Sequence, residues 1–514
     1  MIPQRILNTK LFNSNYIKNF SLSSKRQAQA LKKGMVVGVY ENSELTTAAS
    51  RVDSESRGKV KLMIKDSGLK LGHTSVAHNI LTGYEAVALV GVGNKTVSGI
   101  NSSESLDEQR ENIRIATGLA VNHLIDEGLT HIEVDPVENA EAAAEGSILG
   151  LWRFDYLKSE DNKNPEPEIK CAEGGDCNAW ERGRIKADAQ NLARVLTQCP
   201  SNLMTPTHFA QCTIDKLCPC GVQVEARDRK WIEAQGMESL LAMASGSLEP
   251  PIVLEIAYCG ANPDDKPVML IGKGVTFDGQ GVCLDRKCNA EFSADVAGAA
   301  VVVGTIKALC ELKVPINVNA IIPLCENMPG GNAAAPGAVF TALNGRTIRM
   351  DDTAHDGRIF LVDALCYAER YKPCLVMNVA TLDETMRLAL GDGASAAYTM
   401  SDSIWKNLNE AGAISGDRMW RLPMWNHYRL AIETDRGVDL TTVGKGLAKG
   451  GDPCTAAAFL KSFAPPSEFV HIDITGTGRL ASGFGYPYLR NNLMTGRPVR
   501  TLVEFLCKHA SQKG

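Results

Sequence analysis

Charged side chains follow an apolar run in the middle of the chain. Residues 267–272 predict a buried strand, after which Lys273 and Asp278 lie in a glycine-rich turn, and an Ala- and Val-rich helix begins near Asp295. In open α/β sheets the carboxyl ends of the strands form the ligand crevice. A Lys and two Asp there indicate a cation site built from hard oxygen ligands. The alternative is a buried Lys–Asp pair, with Asp295 acting as a helix N-cap.

A second stretch has the same organisation. Residues 345–367, GRTIRMDDTAHDGRIFLVDALCY, pass from a strand-like run through a sharp polar turn into a helix with apolar residues at helical spacing. The acidic residues of that turn are further candidates for cation ligands.

Together these segments resemble the two signature segments of the leucyl aminopeptidase family. The resemblance lies in Lys273, the TFD that ends at Asp278, the spacing to Asp295, and the turn that ends in Gly357-Arg358. Further segments resemble the family in order: 192–210, 236–258, 323–337, 416–428, 454–463 and 487–506. The resemblance covers essentially the whole chain after a short leader. It implies a homohexameric exopeptidase that uses two divalent metals, Mn²⁺ or Zn²⁺.

The resemblance also assigns roles to individual residues. It implies that Arg358 helps to hold the bicarbonate or water that acts as a base. It implies that Thr381 and Leu382 lie in the loop that contacts the substrate. The positions that it assigns to metal binding are Lys273, Asp278, Asp295 and Asp356.

Several positions depart from the family pattern. Asp285 stands where the family has the Lys that polarises the scissile carbonyl, and Ala354 stands where it has a metal-binding Asp. Asp356 replaces a metal-binding Glu, which draws the carboxylate back by one methylene. The segment before Asp295 is one residue short, and the family's ATLTG loop reads ATLDE at 380–384.

These departures affect the chemistry that the resemblance implies. A two-metal peptidase holds its cations about 3.5–4 Å apart between converging carboxylates, and Ala354 offers no lone pair. Asp285 places an anion where a cation would stabilise the oxyanion, and loss of one such donor commonly costs about 3–4 kcal/mol. Asp285 could instead pair with Lys273 or Arg358, or act as a new metal ligand. We expect reduced or absent metal binding, and a protein whose status as an enzyme is open.

Three functional hypotheses follow from the sequence. The first is a catalytically impaired or inactive homologue with a structural or assembly role, including higher-order packing, as in the divergent sperm leucyl aminopeptidases that the chain resembles. The second is an active or altered metal-dependent aminopeptidase that releases N-terminal residues such as Leu. The third is a protein that binds a peptide or metabolite without cleaving it.

The N-terminal leader indicates a compartment. Residues 1–40 contain no Asp or Glu but carry seven Lys and Arg residues among Ser, Asn and scattered apolar residues. This composition is typical of a mitochondrial transit peptide, predicted here for residues 1–32, and so of a protein of the mitochondrial matrix. The alternatives are a basic tail and a cytoplasmic protein.

The rest of the chain predicts an α/β protein with two domains. Residues 33–157 predict a smaller N-terminal α/β domain, 158–198 a linker and connecting helix, and 199–514 a C-terminal domain with a doubly wound, mostly parallel sheet. The net charge of −5 argues against nucleic acid as the main partner. No apolar run suggests a membrane span.

The chain contains 15 cysteines without the paired spacing of a metal site. Many lie inside apolar runs, as Cys310, Cys366 and Cys374 do, which predicts buried, reduced thiols. Exposed thiols could cross-link protomers under oxidising conditions.

Overall fold

The computed structural model describes residues 32–67, 69–164, 167–282, 290–351, 357–444 and 450–512. Asp285, Ala354 and Asp356 lie outside these residues, as does the predicted transit peptide except for its last residue.

The chain divides into two compact units. One comprises the described residues up to Asp188 together with Gly483–Asn491, and the other comprises Ala189–Ser482 and the residues from Asn492 onward. Each unit has its own sheet and its own apolar core. The two-domain α/β fold expected from the sequence is therefore confirmed.

The first unit is built on a five-stranded sheet. The strands of this unit are β1 (Lys33–Val39), β2 (Thr74–His78), β3 (Ala86–Gly91), β4 (Ile100–Asn101), β5 (Leu106–Asp107), β6 (His131–Val134) and β7 (Glu168–Cys171). Of these, β4 and β5 form a separate two-stranded sheet. The sheet order is β2-β3-β1-β6-β7, and only the β2–β3 pairing is antiparallel. The helices are α1 (Thr47–Glu55), α2 (Lys59–Ser67), α3 (Glu108–Asp126), α4 (Ala140–Leu151) and α5 (Cys177–Gln198), and the residues of α5 from Ala189 onward belong to the second unit.

Strand β7 lies within residues 158–198, for which the sequence predicted a linker and a connecting helix but no strand. Ile169 pairs in parallel register with Ile132 of β6. The segment is polar because it forms the edge of the sheet and its residues are exposed or only partly buried. A short edge strand depends on its neighbour's hydrogen bonds, so its own sequence pattern is weak.

The second unit is built on a nine-stranded sheet. The strands of this unit are β8 (Gln223–Arg227), β9 (Ile252–Cys259), β10 (Val268–Gly272), β11 (Gly274–Asp278), β12 (Asn317–Asn327), β13 (Val339–Thr341), β14 (Thr347–Arg349), β15 (Leu375–Ala380), β16 (Ser395–Tyr398), β17 (Met419–Arg421), β18 (Leu440–Thr441) and β19 (Glu468–Asp473). The order is β17-β16-β19-β15-β10-β12-β9-β8, with β11 also paired to β12, while β13, β14 and β18 form a small separate sheet. The large sheet is mixed and mostly parallel, as predicted.

Helices cover this sheet and supply much of the core. They are α6 (Pro206–Leu217), α7 (Arg229–Gln235), α8 (Glu238–Ala244), α9 (Ala297–Glu311), α10 (Gly357–Tyr367), α11 (Glu384–Leu390), α12 (Asp402–Ser415), α13 (Asn426–Ile432), α14 (Asp452–Lys461) and α15 (Val499–Ser511). Helix α9 is apolar on nearly all sides because most of its residues are buried.

The strand order creates a switch point beside β10. From β10 the chain adds β12 on one side of the strand, and then returns to add β15 and β19 on the other side. The connections that leave the carboxyl ends of β10 and β15 therefore diverge and open a crevice between them, which is the usual place for a ligand in such sheets.

The structure corrects two local predictions around the first signature segment. Residues 274–278 form strand β11, paired with β12, where the sequence suggested a turn. Asp295 lies in a 3-10 helix, Ala290–Val296, and α9 starts after Val296 without a side-chain cap, so Asp295 is not its N-cap. Its carboxylate is engaged elsewhere.

The stretch Ser293–Glu311 also corrects the expectation that no run suggests a membrane span. It is long and apolar enough to cross a membrane by length and composition, and it contains α9. However, 83% of its most apolar window is buried inside the protein, as in the core helix of a soluble protein.

The cysteines of the described ranges are less buried than expected. Among the described cysteines, which form no disulfide, only Cys199, Cys325 and Cys454 are buried. Cys310, Cys366 and Cys374 are only partly buried, because each lies near the end of a helix or strand.

Candidate active site

The crevice brings together polar residues from the ends of four strands. Lys273 follows β10, Asp278 ends β11, the 381–383 turn follows β15, and Asp473 ends β19. Because β10, β11, β15 and β19 run parallel within the sheet, their carboxyl ends lie at the same edge. The residues of β10 and β15, and those of β19 after Glu468, are buried, so the charged groups lie where the buried core ends and the crevice begins.

Lys273 lies at the centre of the crevice. Its Nζ is 3.1 Å from Asp295 Oδ2 and donates a hydrogen bond to the backbone carbonyl of Thr381 at 2.9 Å. The hydroxyl of Thr381 donates to the other Asp295 oxygen at 2.7 Å. Lys273 is only 3% exposed and Asp295 only 7%. A buried ammonium requires such a partner, so this group links β10, β15 and the start of α9.

Gly357, the first residue of α10, approaches Lys273 closely. A Cβ on Gly357 would lie 2.8 Å from Lys273 Nζ and 3.5 Å from Cδ1 of Leu382. A side chain at this position would therefore collide with the ammonium group. The missing side chain lets α10 begin against Lys273, which brings the two signature segments together.

The two carboxylates near Lys273 differ in their electrostatics. Burial and the nearby Asp295 charge raise the pKa of Asp278 to about 7, although its Oδ1 accepts hydrogen bonds from the Gln280 amide at 3.0 Å and from Asn327 Nδ2 at 2.9 Å. Burial also opposes ionisation of Asp295, but Lys273 and then Arg479 hold the pKa of Asp295 below its ordinary value. Asp295 is therefore the charged member of the pair, and Asp278 carries a proton through much of the acidic range.

Arg358, in the first turn of α10, is paired with a carboxylate of this chain. Its Nη2 lies 3.0 Å from Asp383 Oδ2, and its Nη1 donates to the carbonyl of Thr442 at 2.6 Å. Each of the two charged side chains is only 1% exposed. Asp383 also caps α11, because its Oδ1 accepts hydrogen bonds from the amide and the hydroxyl of Thr385.

Sequence reasoning missed two charged residues of this crevice, Asp473 and Arg479. Asp473 Oδ1 accepts from the amide of Thr475 at 2.9 Å and from its hydroxyl at 2.6 Å, and Asp473 Oδ2 has no partner among the described residues. Burial raises the pKa of Asp473 to about 7. Arg479 interacts with Asp295 and forms an ion pair with Glu384.

Asp473 had a signal in the sequence. It ends β19 as Asp278 ends β11, and the same strand-end argument applies to it. Arg479 had no such signal, because it lies on an irregular segment after β19.

Six of the predicted site residues are thus gathered at one crevice: Lys273, Asp278, Asp295, Arg358, Thr381 and Leu382. The other three, Asp285, Ala354 and Asp356, lie outside the described residues. The roles assigned to all nine remain predictions.

Comparison with known proteins gives this geometry a family context. The catalytic domain of the "Cytosol aminopeptidase family" matches residues 191–503, and the N-terminal domain of the same family matches residues 36–161. The chain belongs to the cytosol aminopeptidase family. This confirms the family resemblance seen in the sequence, whereas the comparisons do not single out the sperm-type branch.

Individual relatives align over most of their length. The chain is 40% identical to a human cytosol aminopeptidase over 490 residues, covering 93% of each chain. It is 38% identical to a cytosol aminopeptidase of Xenopus tropicalis over 525 aligned positions, covering 100% of this chain and 99% of the relative. Among solved structures, the bottromycin maturation enzyme BotP in complex with Mn superposes with a TM-score of 0.80 at 28% identity, covering 94% of this chain and 100% of BotP.

The described residues supply only part of the two-metal site that the family implies. Two carboxylates, Asp278 and Asp295, converge there beside the amine of Lys273. Within the described ranges, no set of three Asp, Glu, His or Cys donors converges at this crevice. These donors alone do not complete a site for two cations.

We predict that Asp473→Asn flattens the pH dependence of stability. With a folded pKa of about 7, well above the ordinary 3.8, Asp473 makes the folded chain bind a proton more tightly than the unfolded chain. The contribution of the protonated Asp473 to the free energy of unfolding is therefore present at low pH and lost as the pH rises towards 7. Between pH 5 and 8 the wild type should lose about 2–3 kcal/mol more of its unfolding free energy than the variant.

Urea unfolding across this pH range measures the difference. Asp402→Asn is the matched control, because the Asp402 side chain is 92% exposed and should leave the slope unchanged. Parallel pH curves for wild type and Asp473→Asn would contradict the prediction.

Proposed function

We propose that this chain is a leucyl aminopeptidase homologue that has lost efficient peptide hydrolysis and that serves a structural or assembly role. The observation that carries the proposal is the buried ion pair between Arg358 and Asp383. The family resemblance assigns Arg358 to holding the bicarbonate or water that acts as base. In this chain an internal carboxylate already occupies one edge of the guanidinium group.

The other cations of the crevice support the same conclusion. Lys273 is paired with Asp295, and Arg479 with Glu384. An active site usually keeps some charge unsatisfied in the free protein, so that the substrate or the transition state completes it. Here the described cations are already neutralised by the chain itself.

The two substitutions outside the described residues act in the same direction. Ala354 removes a carboxylate from the metal site, and Asp285 introduces a negative charge where an oxyanion would develop. Each change alone should impair hydrolysis, and reduced affinity for divalent metal follows from the lost ligand.

The structural part of the proposal rests on the preserved fold and on the leader. Both family domains are complete enough to match over 191–503 and 36–161, and the acid-free leader is typical of a mitochondrial transit peptide. We propose a homohexamer in the mitochondrial matrix that takes part in higher-order packing, as in the sperm-type branch that the sequence resembles.

An active metal-dependent aminopeptidase is the second candidate. It is favoured by the retained grouping of Lys273, Asp278 and Asp295, and by relatives that are named cytosol aminopeptidases. In that case Asp356 and Asp285 would complete the ligand set.

A leucyl amide assay separates these candidates. We expect the full chain, given excess Mn²⁺ and leucyl p-nitroanilide, to turn over at least about 10²–10³-fold more slowly than the human relative under the same conditions, because an oxyanion donor and a metal ligand are both replaced. A chelator-treated sample defines the background. Chelator-sensitive turnover comparable to that of the human relative would overturn the proposed loss of catalysis.

We predict that Ala354→Asp combined with Asp285→Lys raises the affinity for Mn²⁺. The first change restores a carboxylate ligand, and the second restores the charge that the family carries. Bound metal after dialysis and the dependence of the melting temperature on Mn²⁺ concentration measure the effect, since a ligand that binds only the folded state stabilises it by mass action. Each single variant is the control, and unchanged metal content in the double variant would show that the residues are wrongly aligned with the site.

We predict that Asp383→Thr makes stability depend on small anions. Removal of one partner of a buried ion pair leaves Arg358 uncompensated, which commonly costs about 3–5 kcal/mol. Thr can still cap α11 through its hydroxyl, so the substitution tests the loss of the carboxylate charge and not the loss of the cap. Added bicarbonate should restore part of the lost unfolding free energy in the variant but leave the wild type unchanged.

Urea unfolding in sodium bicarbonate and in sodium chloride at equal ionic strength and equal pH tests this. Asp228→Thr is the matched control, because Asp228 caps α7 by accepting from the Trp231 amide at 3.0 Å in an exposed position. A loss of stability in Asp383→Thr no greater than that of this control would contradict the assigned strength of the Arg358 pair.

A further inference from the structure

Two thiols from distant parts of the chain meet on the second unit, away from the crevice. Cys220 ends a short 3-10 helix, Cys218–Cys220, that follows α6, and Cys310 lies in the last turn of α9. The Sγ of Cys310 donates to the backbone carbonyl of Cys220 at 2.6 Å, across 90 positions of sequence. The two side chains also interact with each other.

Both cysteines are partly exposed to solvent. Cys220 and Cys310 are each partly buried, and neighbouring Cys218 is exposed. Burial, followed by the nearby Cys220, raises the pKa of Cys310, so this thiol is protonated at neutral pH.

Another pair of neighbouring cysteines provides a contrast. Cys199 interacts with Cys212, but Cys199 is buried, and this burial raises its pKa to about 12. A thiol that is both buried and so weakly acidic reacts slowly with an oxidant in solution. Cys220 and Cys310 are therefore more exposed to solvent than the buried Cys199 of the other pair.

We propose that Cys220 and Cys310 form a reversible intramolecular disulfide under peroxide. One thiol loses its proton and attacks hydrogen peroxide, giving a sulfenic acid and one water. The second thiol then displaces hydroxide from that sulfur, giving the disulfide and a second water. Two thiols are oxidised by two electrons in total, and one peroxide is reduced to two waters.

This bond would tie the end of α6 to the end of α9. It would close a long loop that contains β8, β9, β10 and β11, and cross-linking across a long loop restricts the unfolded chain more than the folded one. The oxidised protein should therefore be more stable than the reduced protein, while its fold is unchanged.

Peptide mapping tests the assignment. The full chain is treated with a small excess of hydrogen peroxide, its remaining thiols are alkylated under denaturing conditions, and the digest is analysed by mass spectrometry. We expect a peptide pair joined through Cys220 and Cys310, which disappears after treatment with dithiothreitol. We also expect a melting temperature about 5–10 °C higher in the oxidised form.

Four single cysteine-to-serine variants test whether the bond forms specifically between Cys220 and Cys310. Cys310→Ser and Cys220→Ser should each abolish both the joined peptide and the temperature shift, whereas Cys218→Ser and Cys212→Ser should retain both. The proposal is overturned if Cys218 replaces Cys220 in the bond, if the bond joins two chains, or if both thiols are still alkylated after peroxide treatment. The assay involves neither metal nor peptide substrate, so its outcome does not depend on whether the protein is an active peptidase.

Discussion

The crevice depends on one constraint: an ammonium group buried at a sheet switch point must be neutralised by a neighbouring carboxylate. Lys273 meets this constraint through Asp295 and the carbonyl of Thr381, and the Thr381 hydroxyl completes the hydrogen bonding of Asp295. These contacts join the segment after β10, the turn after β15 and the segment that leads into α9. Without them a charge would remain buried and unpaired, which is among the most destabilising defects in a protein.

The same constraint applies to a second buried charge, in the turn after β15. Asp383 places a negative charge in a buried position, and Arg358 lies where it can pair with it. The pairing is favourable for stability because each partner would be costly alone. It is unfavourable for anion chemistry at Arg358, because the guanidinium group must release Asp383 before it can engage another anion at that edge.

Fold and chemistry are separable in this chain because different residues determine them. The core of the second unit is a large apolar cluster that includes Ile271, Val376, Phe360 and Phe459, none of which is among the charged residues of the crevice. The residues that hold the fold together are therefore different from those that would carry chemistry. A match over both family domains therefore establishes ancestry and architecture, whereas activity has to be judged from the site residues themselves.

The sequence by itself determined the main architecture and the location of the site. The buried run of β10, the helical spacing after Gly357 and the polar residues at strand ends carry their own signals, because burial imposes a periodicity that can be read directly. The sequence placed Lys273 and Asp295 at one crevice, but as cation ligands, or with Asp295 as a helix N-cap, and not as partners of each other. The edge strand β7, the strand β11 and the true start of α9 were not foreseen, since each depends on hydrogen bonds or packing from a distant part of the chain.

Only the tertiary structure decided which charges meet. Asp383 and Arg358 lie 25 positions apart, and Lys273 and Thr381 lie 108 apart, so no local pattern links them. The raised pKa of Asp473 likewise depends on burial beneath the turn after β15, which composition cannot reveal. The sequence named most of the charged residues of the crevice, although not Asp473 or Arg479. The partners and the protonation of these groups depend on distances that exist only after the strands are ordered in the sheet.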